Sequence, residues 1–214
     1  MKLKPNKLQL LGLLPDALVM SRGPRQGNAL YLSFDDGPHP EHTPRLLDQL
    51  AAHGAHASFF LVGTQVEKYP QLAARIAAEG HLLGNHSWSH PSAFGKMTLQ
   101  QQLHEIGRTD VLLAEFDQQS THRFRPPRGS FSLSLLLHFA GRRRAIAYWS
   151  YDSLDYRQWP VADVAARLRR QPPRAGDILL MHDDAACAGD VLEIMLPQWR
   201  RDGHELHALA PEIR

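Results

Sequence analysis

The sequence has 214 residues, of which 43% are hydrophobic and 21% charged, and its formal net charge at pH 7 is +2. This length and composition predict one globular domain and exclude a disordered or fibrous chain. The small net charge argues against nucleic acid as a partner. The most basic stretch of the chain consists of three adjacent arginines, Arg142, Arg143 and Arg144. Such a run is more typical of a solvated loop than of a phosphate or glycan contact.

The N-terminal segment carries three lysines before an apolar run over residues 8–20. A proline and an aspartate interrupt the run and no small-residue cleavage site follows, so we expect an uncleaved segment and a cytoplasmic protein, with the cell envelope as the alternative. A transmembrane span is not expected, since it needs about 20 apolar residues. Leu11, Leu14 and Leu18 recur at helical spacing. This spacing favours docking of the N-terminal segment on the domain over peripheral contact with a membrane. We therefore predict an N-terminal extension, residues 1–28, and one main domain, residues 29–214.

From residue 29 onward, short apolar runs alternate with stretches of helical periodicity. The predicted strands cover residues 29–34, 57–62, 81–84, the region of Phe124, 145–149, 177–181 and 204–209. The predicted helices cover residues 43–53, with Thr43 as N-cap, 72–79, 99–116, with Thr98 as N-cap, 133–139, 161–169 and 191–200. This alternation predicts an α/β fold with a parallel sheet, either open or closed into a barrel.

Polar residues follow five of the predicted strands at their carboxyl ends. They are Asp35 and Asp36, then His86 and His90, Arg125, Asp152 and Asp155, and His182. In a parallel barrel these ends share one face, where active sites lie. An open sheet gathers such groups at one crevice instead. Because five strands contribute, the barrel is favoured.

Asp35 and Asp36 are followed directly by Gly37 and Pro38, which end the strand. Neighbouring carboxylates in a strand point to opposite faces and repel each other. A turn at this point would let one of them bind a metal while the other takes a proton from an attacking water. The alternative is a turn in which both aspartates act as caps.

His86 and His90 are four positions apart, so on a helical turn their side chains would leave the same face. This spacing alone is weak, because the chain has 13 histidines. A carboxylate from another strand end would complete a set of two histidines and one carboxylate, which is typical of hydrolytic zinc sites and some iron sites.

Five short motifs occur in order along the chain: SFDDGP at 33–38, HSWSH at 86–90, RPPRG at 125–129, DSLDY at 152–156 and LMH at 180–182. With them the chain resembles polysaccharide deacetylases of the NodB-homology type, carbohydrate esterase family 4, over about residues 30–183. The resemblance implies a distorted (β/α) barrel and a metal-dependent hydrolase that removes acetyl groups from an N-acetylated sugar. The expected partner is therefore a carbohydrate substrate.

The resemblance also implies roles for individual residues. Asp35 would be the general base, supported by Arg125. The divalent metal, zinc foremost with cobalt, nickel and manganese as alternatives, would be held by Asp36, His86 and His90. His182 would be the general acid, tuned by Asp155. The remaining implied residues contact the substrate or its oxyanion, through the backbone N–H of Arg128 after Pro127, the aromatic wall of Tyr156, and Leu180 beside the acetyl methyl.

Two positions depart from the family pattern: Arg128 stands where tyrosine is usual, and Tyr156 where tryptophan is usual. They lead us to expect an N-acylated sugar with an anionic group, on a small, nucleotide-linked or lipid-linked glycan. The alternatives are an O-acetyl esterase, a hydrolase of a non-sugar amide, and an inactive glycan-binding module. The inactive module is disfavoured because no base, ligand or acid is missing.

Overall fold

Eight β-strands are found in the computed structural model of the chain, which describes residues 10–25, 27–157 and 159–212. They are β1 (Val19–Met20), β2 (Ala29–Asp35), β3 (Ser58–Leu61), β4 (Leu82–Asn85), β5 (Ile146–Ala147), β6 (Tyr151–Asp152), β7 (Ile178–His182) and β8 (Glu205–His207). The very short β1 and β6 were not predicted, because two residues leave no periodicity to detect.

Helices lie between the strands. They are α1 (His42–Ala52), α2 (Gly63–Lys68), α3 (Pro70–Ala78), α4 (Leu99–Asp117), α5 (Leu133–Ala140), α6 (Val161–Arg170) and α7 (Ala186–Arg201). Short 3₁₀ helices cover Phe94–Lys96, Pro127–Gly129 and Asp155–Arg157. Within the described residues no helix is both long and apolar enough to cross a membrane.

The strands form a parallel sheet in the order β4-β3-β2-β7-β6, and β8 pairs with the first half of β2. Beyond β4, the sheet continues through Phe124, which bridges Asn85 on one side and Ile146 of β5 on the other. β5 pairs with β1, and a bridge between Arg22 and Asp177 returns this edge to the start of β7. Single bridges thus close the ring into a distorted barrel, in which the paired strands all run parallel and only the bridge between Arg22 and Asp177 is antiparallel.

The central strand β2 is buried at all seven positions, as expected for a parallel strand covered on both faces. Its alternate side chains Leu30, Leu32 and Phe34 pack with the surrounding helices. The intervening Ala29 and Tyr31 belong to an apolar cluster that also includes residues from β3, β4, β5 and β7. This cluster fills one end of the barrel interior, and polar side chains occupy the other end.

One predicted helix cap is confirmed and the other is wrong. Thr98 forms a capping box on α4, in which its Oγ1 accepts the N–H of Gln101 and Gln101 Oε1 accepts the N–H of Thr98. Thr43 instead lies inside α1, where its hydroxyl donates to Asp183 at 2.6 Å. The hydroxyl of Thr43 therefore hydrogen-bonds to the buried Asp183, which follows a distant strand, and does not cap the helix as the local pattern predicted.

The predicted N-terminal extension contributes to the barrel where it is described. Its Val19 and Met20 form β1, and its three spaced leucines pack against a cluster that contains Phe94, Phe124 and Phe139. The lysines predicted to precede this segment lie outside the described residues. The domain boundary at residue 28 stays a prediction.

Candidate active site

A cavity of about 370 Å³ lies at the carboxyl ends of the barrel strands. Its lining consists of Asp35, Asp36, His86, His90, Arg128, Gly129, Trp149, Asp152, Tyr156, Leu180, His182 and Asp184. The structure thus brings together the predicted groups from β2, β4, β6 and β7 in one pocket. The barrel explains this, because parallel strands expose their carboxyl ends on a common face.

Asp36, His86 and His90 offer ligand atoms that all lie within 4.8 Å of one another. Asp36 Oδ1 is 3.4 Å from Nε2 of His86 and 3.2 Å from Nε2 of His90. This carboxylate oxygen is buried and accepts no hydrogen bond from any described residue. A buried oxygen without a donor, facing two imidazole nitrogens, fits a divalent cation that takes nitrogen and oxygen ligands. The three residues therefore fit the predicted metal site.

The ring of His86 is oriented by a hydrogen bond on the side that faces away from the pocket. Its Nδ1 lies 2.8 Å from the carbonyl oxygen of Arg125 and donates to it, so Nε2 faces the pocket as an acceptor. Burial lowers the pKa of His86 to about 3, which keeps the imidazole neutral. A neutral ring with its free lone pair toward Asp36 is the form that binds a metal.

The segment from His86 to His90 is not the helical turn that we expected. It is an irregular bend in which Ser87 and His90 have positive φ angles of 69° and 49°. Asn85 holds the bend, since its Oδ1 accepts the N–H of Ser87 at 2.9 Å while its Nδ2 donates to Asp110 at 2.7 Å. Tertiary hydrogen bonds therefore bring the two rings together, with their centroids 4.9 Å apart.

Asp35 is buried beside Asp36, His86 and His90 and is paired with Arg125. The guanidinium donates to Asp35 Oδ1 at 2.6 Å and to Ser33 Oγ at 2.9 Å, and it stacks on Phe60 at 3.9 Å. Asp35 Oδ2 lies 3.7 Å from His86 Nε2, so this second oxygen is available toward the pocket. Burial raises the pKa of Asp35, and the charges of Arg125 and His182 oppose that rise. These opposing effects on its pKa suit Asp35 to act as a base that accepts a proton and later releases it.

His182, the last residue of β7, is held by Asp155. His182 Nδ1 lies 3.0 Å from Asp155 Oδ1, and its backbone N–H donates to Oδ2 at 2.7 Å. Ser153 Oγ donates to the same carboxylate at 2.7 Å. Burial lowers the pKa of His182, but the hydrogen bond and charge of Asp155, with the charges of Asp35 and Asp36, outweigh it and raise the pKa to about 9. The imidazolium therefore presents Nε2–H to the pocket at neutral pH.

The predicted substrate residues surround this centre with one exception. Tyr156 packs edge-on against His182 at 5.2 Å, Leu180 lines the floor, and the exposed Arg128 lines the rim. Pro127 does not line the cavity but lies in the same 3₁₀ turn, in which Arg128 has a positive φ of 53°. In this left-handed conformation, the backbone N–H and carbonyl groups at Arg128 point in different directions from those in a regular helix.

The chain matches the family model described as polysaccharide deacetylase over residues 22–141, more than half of its length. It belongs to the polysaccharide deacetylase family. A chitooligosaccharide deacetylase of Sinorhizobium fredii is 36% identical to it over 79% of either chain. A peptidoglycan-N-acetylglucosamine deacetylase of Bacillus cereus is 32% identical over 85% of this chain and 66% of its own length.

The fold comparison agrees with the sequence comparison. A crystal structure of the Bc1960 peptidoglycan N-acetylglucosamine deacetylase has a TM-score of 0.82 and 30% identity, and the match covers 88% of this chain and 89% of that one. The predicted family and distorted barrel are confirmed, and so is the predicted enzyme class, a carbohydrate deacetylase.

Several residues of the site were missed by reasoning from the sequence. Trp149 and Gly129 line the pocket together, and a Cβ on Gly129 would lie 2.7 Å from the Trp149 ring. Asp184 also lines it, and the fully buried Asp183 hydrogen-bonds to Thr43. Burial raises the pKa of Asp183 to about 7. The glycine within RPPRG and the two aspartates after LMH were signals that could have identified three of these four positions.

Proposed function

We propose that the chain hydrolyses the N-acetyl group of a sugar in an oligosaccharide or polysaccharide, with Asp35 as base and His182 as acid. The observation that carries this is the arrangement of three metal-binding side chains, a separate buried carboxylate and a protonated histidine around one cavity. Amide hydrolysis needs an activated water, a polarised carbonyl and a proton for the leaving amine. Each need is met by a different group of this pocket.

The residues act in sequence on one substrate amide. When bound by Asp36, His86 and His90, a divalent metal lowers the pKa of water and polarises the acetyl carbonyl. Asp35 takes a proton from the attacking water while Arg125 holds its other oxygen in place. His182 then gives its Nε2 proton to the leaving nitrogen, so the products are acetate and a free amine. Asp155 keeps this histidine protonated and oriented until that step.

The substrate's acyl group and oxyanion would be bound by residues of two loops. The backbone N–H of Arg128, in the turn that begins at Pro127, would stabilise the negative oxygen of the transition state. Leu180 would contact the acetyl methyl, and the ring of Tyr156 would pack beside the sugar. An O-acetyl ester has the same carbonyl and fits the same groups, whereas a non-sugar amide would leave Tyr156 without its partner.

Zinc is the proposed metal. Two imidazoles and one carboxylate form the three-ligand set of catalytic zinc, with a further position open to water and substrate. The test is elemental analysis of the purified protein, followed by metal removal and addition of zinc, cobalt, nickel or manganese. Recovery with manganese alone would contradict the proposal.

The base and the ligands can be separated by two substitutions. Asp35→Asn should abolish acetate release from chitooligosaccharides and peptidoglycan fragments but keep the metal. Asp36→Ala should lose both, because it removes the oxygen that faces the two histidines. Asp202→Asn, an exposed position, is the charge-matched control. Loss of metal in the Asp35 variant with retention in the Asp36 variant would reverse the assignment.

An anionic group on the substrate is proposed to pair with Arg128. This side chain is exposed on the pocket rim, so its guanidinium is free to meet a carboxylate or phosphate on a glycan, whether nucleotide-linked, lipid-linked or part of a polymer. Arg128→Tyr should shift kcat/KM toward neutral chitooligosaccharides. An unchanged ratio between neutral and anionic substrates would contradict the pairing.

Peripheral contact with an anionic membrane is a further proposal. Four strongly exposed leucines lie on two segments whose inner residues pack on one apolar cluster: Leu10, Leu13, Leu133 and Leu137. The exposed Arg142 and Arg143 follow α5 directly, which supplies charge complementarity. The double variant Leu133→Ser, Leu137→Ser should lose sedimentation with phosphatidylglycerol vesicles, and Val111→Ser should not.

Cell fractionation would test the predicted cytoplasmic location. Recovery of the protein from the periplasm or the medium would contradict that location.

A further inference from the structure

A second cavity, of about 650 Å³, has no part in the chemistry described above. Its lining consists of Trp159, Asp163, Arg167, Arg170 and Gln171. One large aromatic side chain among hydrogen-bonding and charged groups suits a sugar, which has apolar C–H faces and polar hydroxyl edges. The composition of the lining thus points to a saccharide rather than to an apolar ligand.

This cavity adjoins the catalytic pocket through the segment that contains the DSLDY motif. Asp152 lines the catalytic pocket, and its carbonyl oxygen accepts a hydrogen bond from Arg167 Nη1 at 2.8 Å. Tyr156, also in the catalytic lining, donates to Asp152 Oδ2 at 3.3 Å. Arg157, the next residue, lies over the ring of Trp159 at 5.7 Å. The DSLDY segment thus supplies Asp152 and Tyr156 to the catalytic pocket and contacts Arg167 of the second cavity through its backbone.

The aromatic residues of this segment are exposed. Tyr156 is 50% and Trp159 39% exposed, and they are the only aromatic side chains among the strongly exposed large hydrophobic residues of the described chain. Exposed aromatic rings present apolar faces against which a sugar can pack. Tyr156 offers such a face in the catalytic pocket and Trp159 offers one in the second cavity, three positions further along the chain.

The cations of the cavity lack acidic partners. Arg167 donates only to the backbone carbonyls of Asp152 and Ser153 and stacks on Tyr151, while Arg170 is exposed and forms no ion pair with a described residue. Asp163 is the one acid in the lining. Two arginines against one aspartate leave a positive field, which favours a ligand with a carboxylate.

We propose that this cavity is a second saccharide subsite, which binds a carboxylate-bearing sugar of the same glycan whose N-acetyl group occupies the catalytic pocket. This rests on the proposed function, because that function places the reacting sugar. The ring of Trp159 packs against the face of the neighbouring sugar, and Arg170 with Arg167 binds its carboxylate. The site thereby selects acidic glycans over neutral ones of equal length.

Direct binding tests the subsite without turnover. In the Asp35→Asn background, calorimetry would compare a tetrasaccharide of N-acetylglucosamine with one that alternates N-acetylglucosamine and the carboxylate-bearing N-acetylmuramic acid. Arg170→Gln should weaken binding of the acidic tetrasaccharide roughly tenfold, the factor that one charge-assisted hydrogen bond of about 1.4 kcal/mol provides. Trp159→Ala should weaken both tetrasaccharides. The exposed Arg201→Gln, which removes the same charge elsewhere, should change neither.

The outcomes separate the subsite from the proposed function. If Arg170→Gln weakens both tetrasaccharides equally, or neither, or if Trp159→Ala changes neither, the subsite is refuted while acetate release by the unmodified enzyme still stands. If instead the binding pattern holds but the unmodified enzyme releases no acetate, the cavity binds acidic glycans and the proposed reaction is wrong.

Discussion

Replacing Asp155 with asparagine should move the alkaline limb of the pH–rate profile to lower pH. Asparagine has nearly the shape of aspartate but only one acceptor oxygen, so the substitution removes the charge and one of the two hydrogen bonds to His182. Burial alone lowers the pKa of His182, and Asp155 is the largest cause that raises it to about 9. Without that anion, burial and the remaining charges of Asp35 and Asp36 oppose each other, so the pKa of His182 should fall to near its ordinary value of 6.5.

The size of the effect follows from the two pKa values. At pH 8, a histidine with a pKa of about 9 is about 90% protonated, whereas one at 6.5 is about 3% protonated. Acetate release at pH 8 should therefore fall about 30-fold, while activity near pH 5.5 should be largely kept. A metal bound to Asp36 would reduce the effect of that carboxylate on the pKa of His182 in the unmodified enzyme. The effect of Asp155 on the pKa of His182 would remain.

The assay is acetate release from a chitooligosaccharide between pH 5 and pH 10, with metal content measured at each pH. Asp202→Asn serves as the control for loss of one surface charge and should leave the profile unchanged. A uniform loss of kcat at every pH, with the alkaline limb in its original place, would refute the tuning of His182 by Asp155. It would indicate that the carboxylate only positions the ring.

Three further predictions follow from buried contacts. Arg125→Met leaves the buried Asp35 without its counter-charge, so the acid limb should move to higher pH and stability should fall by about 3–5 kcal/mol in denaturant unfolding. Gly129→Ala meets crowding and a positive φ, so it should cost about 1–3 kcal/mol and lower kcat; Gly203→Ala, with positive φ but open space, should cost less and keep kcat. Thr98→Ala should cost about 1 kcal/mol through lost capping with no change in activity, and equal stability would contradict the capping box.

Long periodic segments were predictable from the sequence because their cause is local. The helix with the Thr98 cap begins and ends within one residue of its predicted bounds, since the capping box and apolar repeat both lie inside the segment. Thr43 failed as a cap because its hydroxyl bonds to Asp183, which is 140 positions away. Local pattern cannot weigh a partner that only folding brings near.

The active site shows the same division. Residue types and their order along the chain predicted that the two carboxylates, the two histidines and His182 would meet on one face, because parallel strands end together, and these side chains do line one cavity. The bend at His86, by contrast, depends on Asn85 and its bond to Asp110 of α4. No spacing rule encodes that bend.

The sequence by itself determined the family, the barrel and the chemical groups of the site. Residue spacing left open which carboxylate faces the histidines, and only the family resemblance assigned it. The tertiary structure supplies the physical reason, because opposite orientations of Asp35 and Asp36 arise where β2 ends and Asp36 adopts a φ of 77°. It also decided that His182 is charged and His86 neutral. Burial lowers the pKa of both imidazoles, but the hydrogen bond and charge of Asp155 overcome this at His182, whereas burial prevails at His86.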